Sequence, residues 1–171
     1  AQELAGFDEA TSFAVARAAS RIPKDCRSVA VAHAFIAGGA SSESERPLSV
    51  GGSDSVGSAC FAPFSYTALG HLHAPQKAGA ENIRYAGSLM KYSFSEAGQR
   101  KGVTVVDLDA DGAVSVEEVP LAAPHDLRVV RGALAEILAD RGRFPKSEDY
   151  TAVELSDKRP VLDAHGKLSQ I

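Results

Sequence analysis

Two short apolar runs in this sequence end on histidine. Val29-Ala30-Val31-Ala32 leads into His33, and Tyr66-Thr67-Ala68-Leu69 passes through Gly70 into His71-Leu72-His73. The first run, Ser28 to Ala32, is short and nearly continuous, the pattern of a strand buried on both faces. Such strands predict an open α/β sheet, and the ends of its strands are where ligands and active sites gather. Other elements follow from local signals. Asp8 is placed to cap a helix running through Phe13, Ala14 and Ala18 to Ile22, with Pro23 as its stop. Ile83 to Ala86 reads as a third strand closed by Gly87-Ser88, and Val103–Leu108 and Ala113–Val119 flank Asp111-Gly112 as a hairpin. Ala37 to Asp54, rich in Gly and Ser, reads as a long loop, and long loops inside compact domains are more often functional than idle.

Length and composition bound the remaining choices. The 171 residues allow one domain and part of a second, and Pro120 and Pro124 mark the predicted boundary. Beyond it come a strand (Leu127 to Val130), a helix (Ala133 to Ala139) and a strand (Tyr150 to Leu155). The expected domains are therefore 1–122 and 123–171. At 44% hydrophobic, the chain can bury a core, and no apolar run reaches the ~18 residues of a membrane span. The start, Ala1-Gln2-Glu3-Leu4, has neither a Met nor a signal-like stretch, as expected for a cytoplasmic protein given as a piece of a longer chain. Cys26 and Cys60 could pair only once, which is no disulfide framework, and Cys60 between Ala59 and Phe61 reads as core. A net charge of −4 argues against nucleic-acid binding by the whole surface, while leaving room for a local basic groove. The basic residues between Asp126 and Lys146 (Arg128, Arg131, Arg141, Arg143) read as a solvated face.

His33, His71 and His73 are the candidate metal ligands. In an extended His-x-His the two rings share a side while Leu72 turns away, and two residues span ~6.6 Å. That separation suits two imidazoles on one ion, or one each on two ions held ~3.5–4 Å apart. Gly70 lets the backbone turn tightly at that rim. His-x-His alone is common, and His33 alone reads equally as a satisfied rim histidine; together, on adjacent strand ends, they favour metal. Two other motifs read differently. Asp107 to Gly112 with Glu118 has the spacing of a calcium loop, but its flanks are β-rich, so a hairpin with an acidic turn is expected there. Asp163-Ala164-His165 imitates a metal-binding Asp-x-His, yet no helix of useful length follows it.

Several segments resemble one family. Val31-Ala32-His33-Ala34-Phe35, Ser44 to Gly52, Ala68 to Gln76, Arg84 to Ser88 and Lys91 to Glu96 are similar to SbcD, the nuclease subunits of bacterial SbcCD complexes within the calcineurin-like metallophosphoesterases. The resemblance implies an α/β fold, part of a metallophosphoesterase-type β-sandwich flanked by helices, followed by the start of a small α+β capping domain. It implies a DNA nuclease of repair, recombination and replication, with ATP-dependent double-strand exonuclease and single-strand endonuclease activity. The implied cofactor is a pair of Mn²⁺ ions, with Mg²⁺ as the substitute. The implied partners are DNA, the SbcC ATPase and a second copy of the subunit, with no membrane. By the same resemblance, His33 and His71 would serve one ion and His73 the other. The family's Asn-His pair has no counterpart, because the only Asn, Asn82, precedes Ile83, and no Asp-x-His precedes the matching region. The expectation is the second half of a nuclease domain, inactive alone, with the leaving-group histidine outside it. A mononuclear zinc hydrolase with three His ligands, or a non-catalytic interaction module, are the alternatives.

Overall fold

The computed structural model describes residues 6–45, 55–140, 142–143 and 145–169. They form a mixed α/β architecture of small sheets and few helices in two compact units. One unit comprises Ala1–Met90 and Gln99–Ala122, the other Lys91–Gly98 and Ala123–Ile171. The first contains α1 (Phe7–Ala19), β1 (Val29–His33), β2 (Phe35–Ile36), β3 (Ser55–Val56), β4 (Tyr66–Gly70), β5 (Gln76–Lys77), β6 (Ile83–Tyr85), β7 (Gly102–Leu108) and β8 (Val114–Pro120). The second contains β9 (Leu127–Gly132), α2 (Leu134–Ala139), β10 (Tyr150–Leu155) and α3 (Ala164–Leu168).

The main sheet of the first unit runs β1-β4-β6-β5, with β1, β4 and β6 parallel and β5 antiparallel to β6. Its register sets His33 opposite Gly70. Ile36, Val56, Phe61, Leu69, Leu72, Ile83 and Tyr85 build the core beneath it. The expectation that β1 is buried on both faces is corrected. Ala30 and Ala32 pack toward the core, but Val29 and Val31 are 50% and 84% exposed. Strand β1 stands at the edge of the described sheet, and α1 makes its main contacts with β3 and the 3₁₀ turn Ser58–Phe61. An apolar run with small residues on one side reads the same in a central strand as in an edge strand, so composition could not separate them.

Helix α1 begins one residue before the expected cap and ends at Ala19, short of Pro23. Asp8 lies in its first turn instead of capping it, and its carboxylate accepts the Gly57 N–H at 2.9 Å. The β7–β8 hairpin forms as expected. Asp109 Oδ1 accepts the N–H groups of Asp111 and Ala113 at 3.0 and 2.8 Å, and Gly112 takes φ +82°. The acidic side chain that imitates a calcium ligand therefore closes the turn.

In the second unit β9 and β10 are parallel and joined through α2, whose Leu134 and Ile137 are buried with Val130. Asp157 accepts the Leu134 N–H at 2.8 Å, satisfying one of the donors left open at a helix start. Lys91 Nζ donates to Asp126 Oδ2 at 2.9 Å and to the Ala97 carbonyl at 2.8 Å. That ammonium holds the Asp126 carboxyl below the usual carboxylate range. Arg131 lies on the surface, paired with Glu154, in keeping with a solvated face; Arg141 lies outside the described residues.

One buried group in the main sheet stands out energetically. Thr67 in β4 is fully buried, and its hydroxyl is the one buried side-chain polar atom without a hydrogen-bond partner among the described residues. Valine has the same branched shape, suits a strand equally, and leaves no orphaned hydroxyl. Thr67→Val should stabilise the chain by about 1 kcal/mol, read as a higher urea midpoint at unchanged slope. An unchanged or lower midpoint would show that ordered water satisfies the hydroxyl.

Candidate metal centre

The chain places His33 at the end of β1 and His71 immediately after β4, so parallel pairing brings the two together. Their ring centroids are 5.3 Å apart with planes inclined at 70°, and Phe35 meets the His71 ring edge-on at 6.1 Å. Two imidazoles that ligate one ion at ~2.1 Å have centroids roughly 5 Å apart, so the spacing of this pair fits two ligands of a single cation. Gly70 has a different task from the one its sequence position suggests. A Cβ there would lie 3.1 Å from His33 Nδ1, so the missing side chain makes room for the imidazole. The left-handed turn falls on the next residue, His71, at φ +115°. Non-glycine residues adopt such values rarely and at a cost, which concentrates at functional positions.

That turn also corrects the expected His-x-His geometry. Extended alternation ends at Gly70, where β4 stops. Leu72 inserts into the core, and the half-buried His73 enters a separate set of contacts. Ser44 Oγ lies 2.9 Å from His73 Nδ1, and Glu45 Oε1 accepts the His73 backbone N–H. Glu45 also accepts the Ser42 N–H at 2.7 Å, while Gln76 exchanges two hydrogen bonds of 2.8 Å with the backbone of Ala40. The described part of the long loop is thus tied down beside His73. Its continuation, Arg46 to Asp54, which includes most of the segment from Ser44 to Gly52 that carried the family resemblance, lies outside the described residues.

Among the described residues, no three of His, Cys, Asp and Glu stand together as a metal-holding group. The first unit presents a histidine pair, His33 and His71, with His73 following on its own anchored segment. The remaining candidates take structural places. Asp163, at φ +51°, caps the five-residue helix α3 by accepting the Gly166 N–H at 3.2 Å. His165 lies in α3 and lines a cavity of about 570 Å³ in the second unit, while His125 Nδ1 lies 3.0 Å from the Glu148 carbonyl. Burial pushes the Cys60 thiol above its ordinary value, the opposite of what a nucleophile needs.

Three residues that sequence reasoning passed over shape this site. The Tyr85 hydroxyl donates to the Ala34 carbonyl at 2.7 Å and accepts the Ile36 N–H at 2.8 Å, clamping the chain just beyond His33. Glu45 and Lys101 hold the backbone on either side of His73, the latter through its carbonyl at 2.8 Å. Ser44-Glu45 and Tyr85 at least belonged to segments that carry the family resemblance, though neither showed its role there; a lysine before a strand carries no sequence signal.

No helix among the described residues is long and apolar enough to cross a membrane. No family model matches the chain. Among curated proteins, it is 32% identical over 170 residues to the SbcD component of the SbcCD nuclease from Staphylococcus epidermidis, an alignment covering 99% of this chain and 46% of the relative. The chain therefore spans just under half the length of that protein.

Proposed function

The chain resembles, along nearly its whole length, part of an SbcD nuclease subunit, and on that premise we propose that it supplies one portion of a metal-dependent DNA nuclease site. The observation that carries this reading is the meeting of His33 and His71, from two parallel strand ends, at a ring separation of 5.3 Å. These two imidazoles would hold one divalent ion, Mn²⁺ or in its place Mg²⁺, and His73 would serve a second. Bound divalent ions supply Lewis-acid chemistry toward a phosphodiester, the basis of two-metal hydrolysis. The chain's own part is to present neutral imidazoles from a rigid rim and to fix the segment that follows. Close cations repel strongly unless a carboxylate lies between them, and His33, His71 and His73 bring no charge to cancel that repulsion. The remaining ligands and the leaving-group histidine would come from sequence with no counterpart here, and the chain alone would be inactive.

The exposed outer face of β1, with Val29 and Val31, supports a place within a larger metallophosphoesterase-type sandwich, since exposed apolar residues on an open strand edge ordinarily find a partner. The second unit would begin the capping domain. DNA, the SbcC ATPase and a second subunit copy are the partners of this reading, with double-strand exonuclease and single-strand endonuclease activity in the assembled complex.

Titrating Mn²⁺ into the 171-residue chain tests it. Paramagnetic broadening should reach the His33 and His71 ring signals first and disappear in His71→Ala, with no cleavage of linear or hairpin DNA. Absence of broadening at both rings would make the pair a structural rim. Metal-dependent cleavage lost in His71→Ala would mean that this chain builds a complete site of its own.

A further inference from the structure

Lys101 is 7% exposed, an unusual position for an ammonium. Its Nζ donates to the His73 carbonyl at 2.8 Å, to Ser88 Oγ at 2.8 Å and to Gln99 Oε1 at 2.6 Å. The Ser88 N–H also donates to the His73 carbonyl, at 3.0 Å. On the other side of the same residue, Glu45 accepts the His73 N–H and Ser44 Oγ lies against Nδ1. One histidine thus has a carboxylate on its amide, an ammonium on its carbonyl and a hydroxyl on its ring. A surface loop does not need a buried charge to hold its shape, because a neutral donor satisfies a carbonyl at a smaller desolvation cost.

We propose that Lys101 is a positioning residue of the metal centre, fixing the direction of the His73 imidazole through its grip on the His73 carbonyl. The inference rests on the reading of His73 as a metal ligand. Ligand histidines generally have their ring orientation set by groups that never touch the ion, and losing such a group weakens metal binding by 10- to 100-fold. Lys101 acts one covalent step further back, on the backbone from which the ring projects. The Glu45 contact opposes it across the residue, so the segment after His71 is held from both ends.

The test uses the 171-residue chain with ¹⁵N-labelled histidine. In the unaltered chain the two His73 ring nitrogens should give well-separated shifts of one tautomer. In Lys101→Met those shifts should move toward each other, and the Mn²⁺ concentration that half-broadens the His73 signals should rise about tenfold. The His33 ring shifts should hold still. Lys101→Arg, which keeps a buried donor, should recover part of the separation. If Lys101→Met fails to fold, Gln99→Ala removes one acceptor of the same ammonium and should move the His73 shifts in the same direction by a smaller amount. A folded Lys101→Met with unchanged His73 shifts, whatever its stability, overturns the positioning role. Mn²⁺ that broadens none of the three histidines in the unaltered chain overturns the metal reading beneath it, and the ring shifts tell the two failures apart.

Discussion

Tyr85→Phe should cost the first unit about 3 kcal/mol, although it removes a single oxygen. The Tyr85 ring is 1% exposed, and its hydroxyl serves two backbone groups at once, the Ala34 carbonyl and the Ile36 N–H. Both of those residues are themselves buried, at 2% and 1% exposure. Phenylalanine fills the space but leaves a donor and an acceptor without partners, and each buried orphan costs about 1–3 kcal/mol. The loss is a large share of the ~5–15 kcal/mol that separates a folded domain from its unfolded chain. Urea unfolding followed by near-UV circular dichroism measures it; a change below about 1 kcal/mol would show that the two backbone groups find water. The consequence should reach the site, because the clamp begins one residue after His33, and the edge-on contact of His33 with His71 should loosen.

Alkaline behaviour checks the same hydroxyl. Burial raises the Tyr85 phenol above its ordinary value, and Tyr66 is raised for the same reason. A group whose folded pKa lies above its unfolded one contributes stability that is intact below the unfolded pKa and is lost as pH rises through the folded one. The chain should therefore lose stability above about pH 10, the ordinary tyrosine value. Tyr85→Phe, already weaker, should lose less of what remains, and Tyr66→Phe should remove its share independently.

Gly87→Ala should have an effect of comparable size, concentrated on the candidate site. Gly87 adopts φ +81°, which costs an L-residue about 1–2 kcal/mol. The added Cβ would also lie 2.7 Å from the His73 carbonyl oxygen and 2.8 Å from Pro75 Cδ. Neither is the loose end of a flexible side chain, so backbone must move, and overpacking of this kind costs a further 1–3 kcal/mol. A total near 3 kcal/mol is expected, together with displaced His73 amide and ring signals while the hairpin of β7 and β8 keeps its shifts. Unperturbed His73 signals would mean that the approach of residue 87 is looser than it looks.

The contrast between these residues and the histidines marks what a sequence discloses. His33 and His71 could be paired from sequence because each ends a β-prone run, and the ends of parallel neighbours meet whatever the details of packing. The hairpin was legible from Asp111-Gly112, where the turn dictates its own residues. Tyr85 was not, since nothing in Ile83-Arg84-Tyr85 says that a hydroxyl will reach across to the backbone beyond another strand. The turn at His71 was hidden by its neighbour: Gly70 looks like the residue that should bend, yet its lack of a side chain serves the His33 ring instead. Exposure of Val31 was hidden too, because the number of neighbours flanking a strand is a property of the whole sheet.

The alternation of the two units along the chain has a consequence for how the protein is made. The chain enters the second unit at Lys91, returns to the first at Gln99, and leaves it again after Ala122. During synthesis from the N-terminus, Glu96, which ends fully buried, therefore leaves the ribosome before β9, the strand its turn packs against, exists. The first unit meanwhile waits for β7 and β8, which lie beyond that insertion. Cutting this chain after Ala122 would yield a first unit carrying an eight-residue orphan, Lys91–Gly98, with its buried carboxylate returned to water. Joining Met90 directly to Gln99 through a short linker is the cut that the architecture itself suggests.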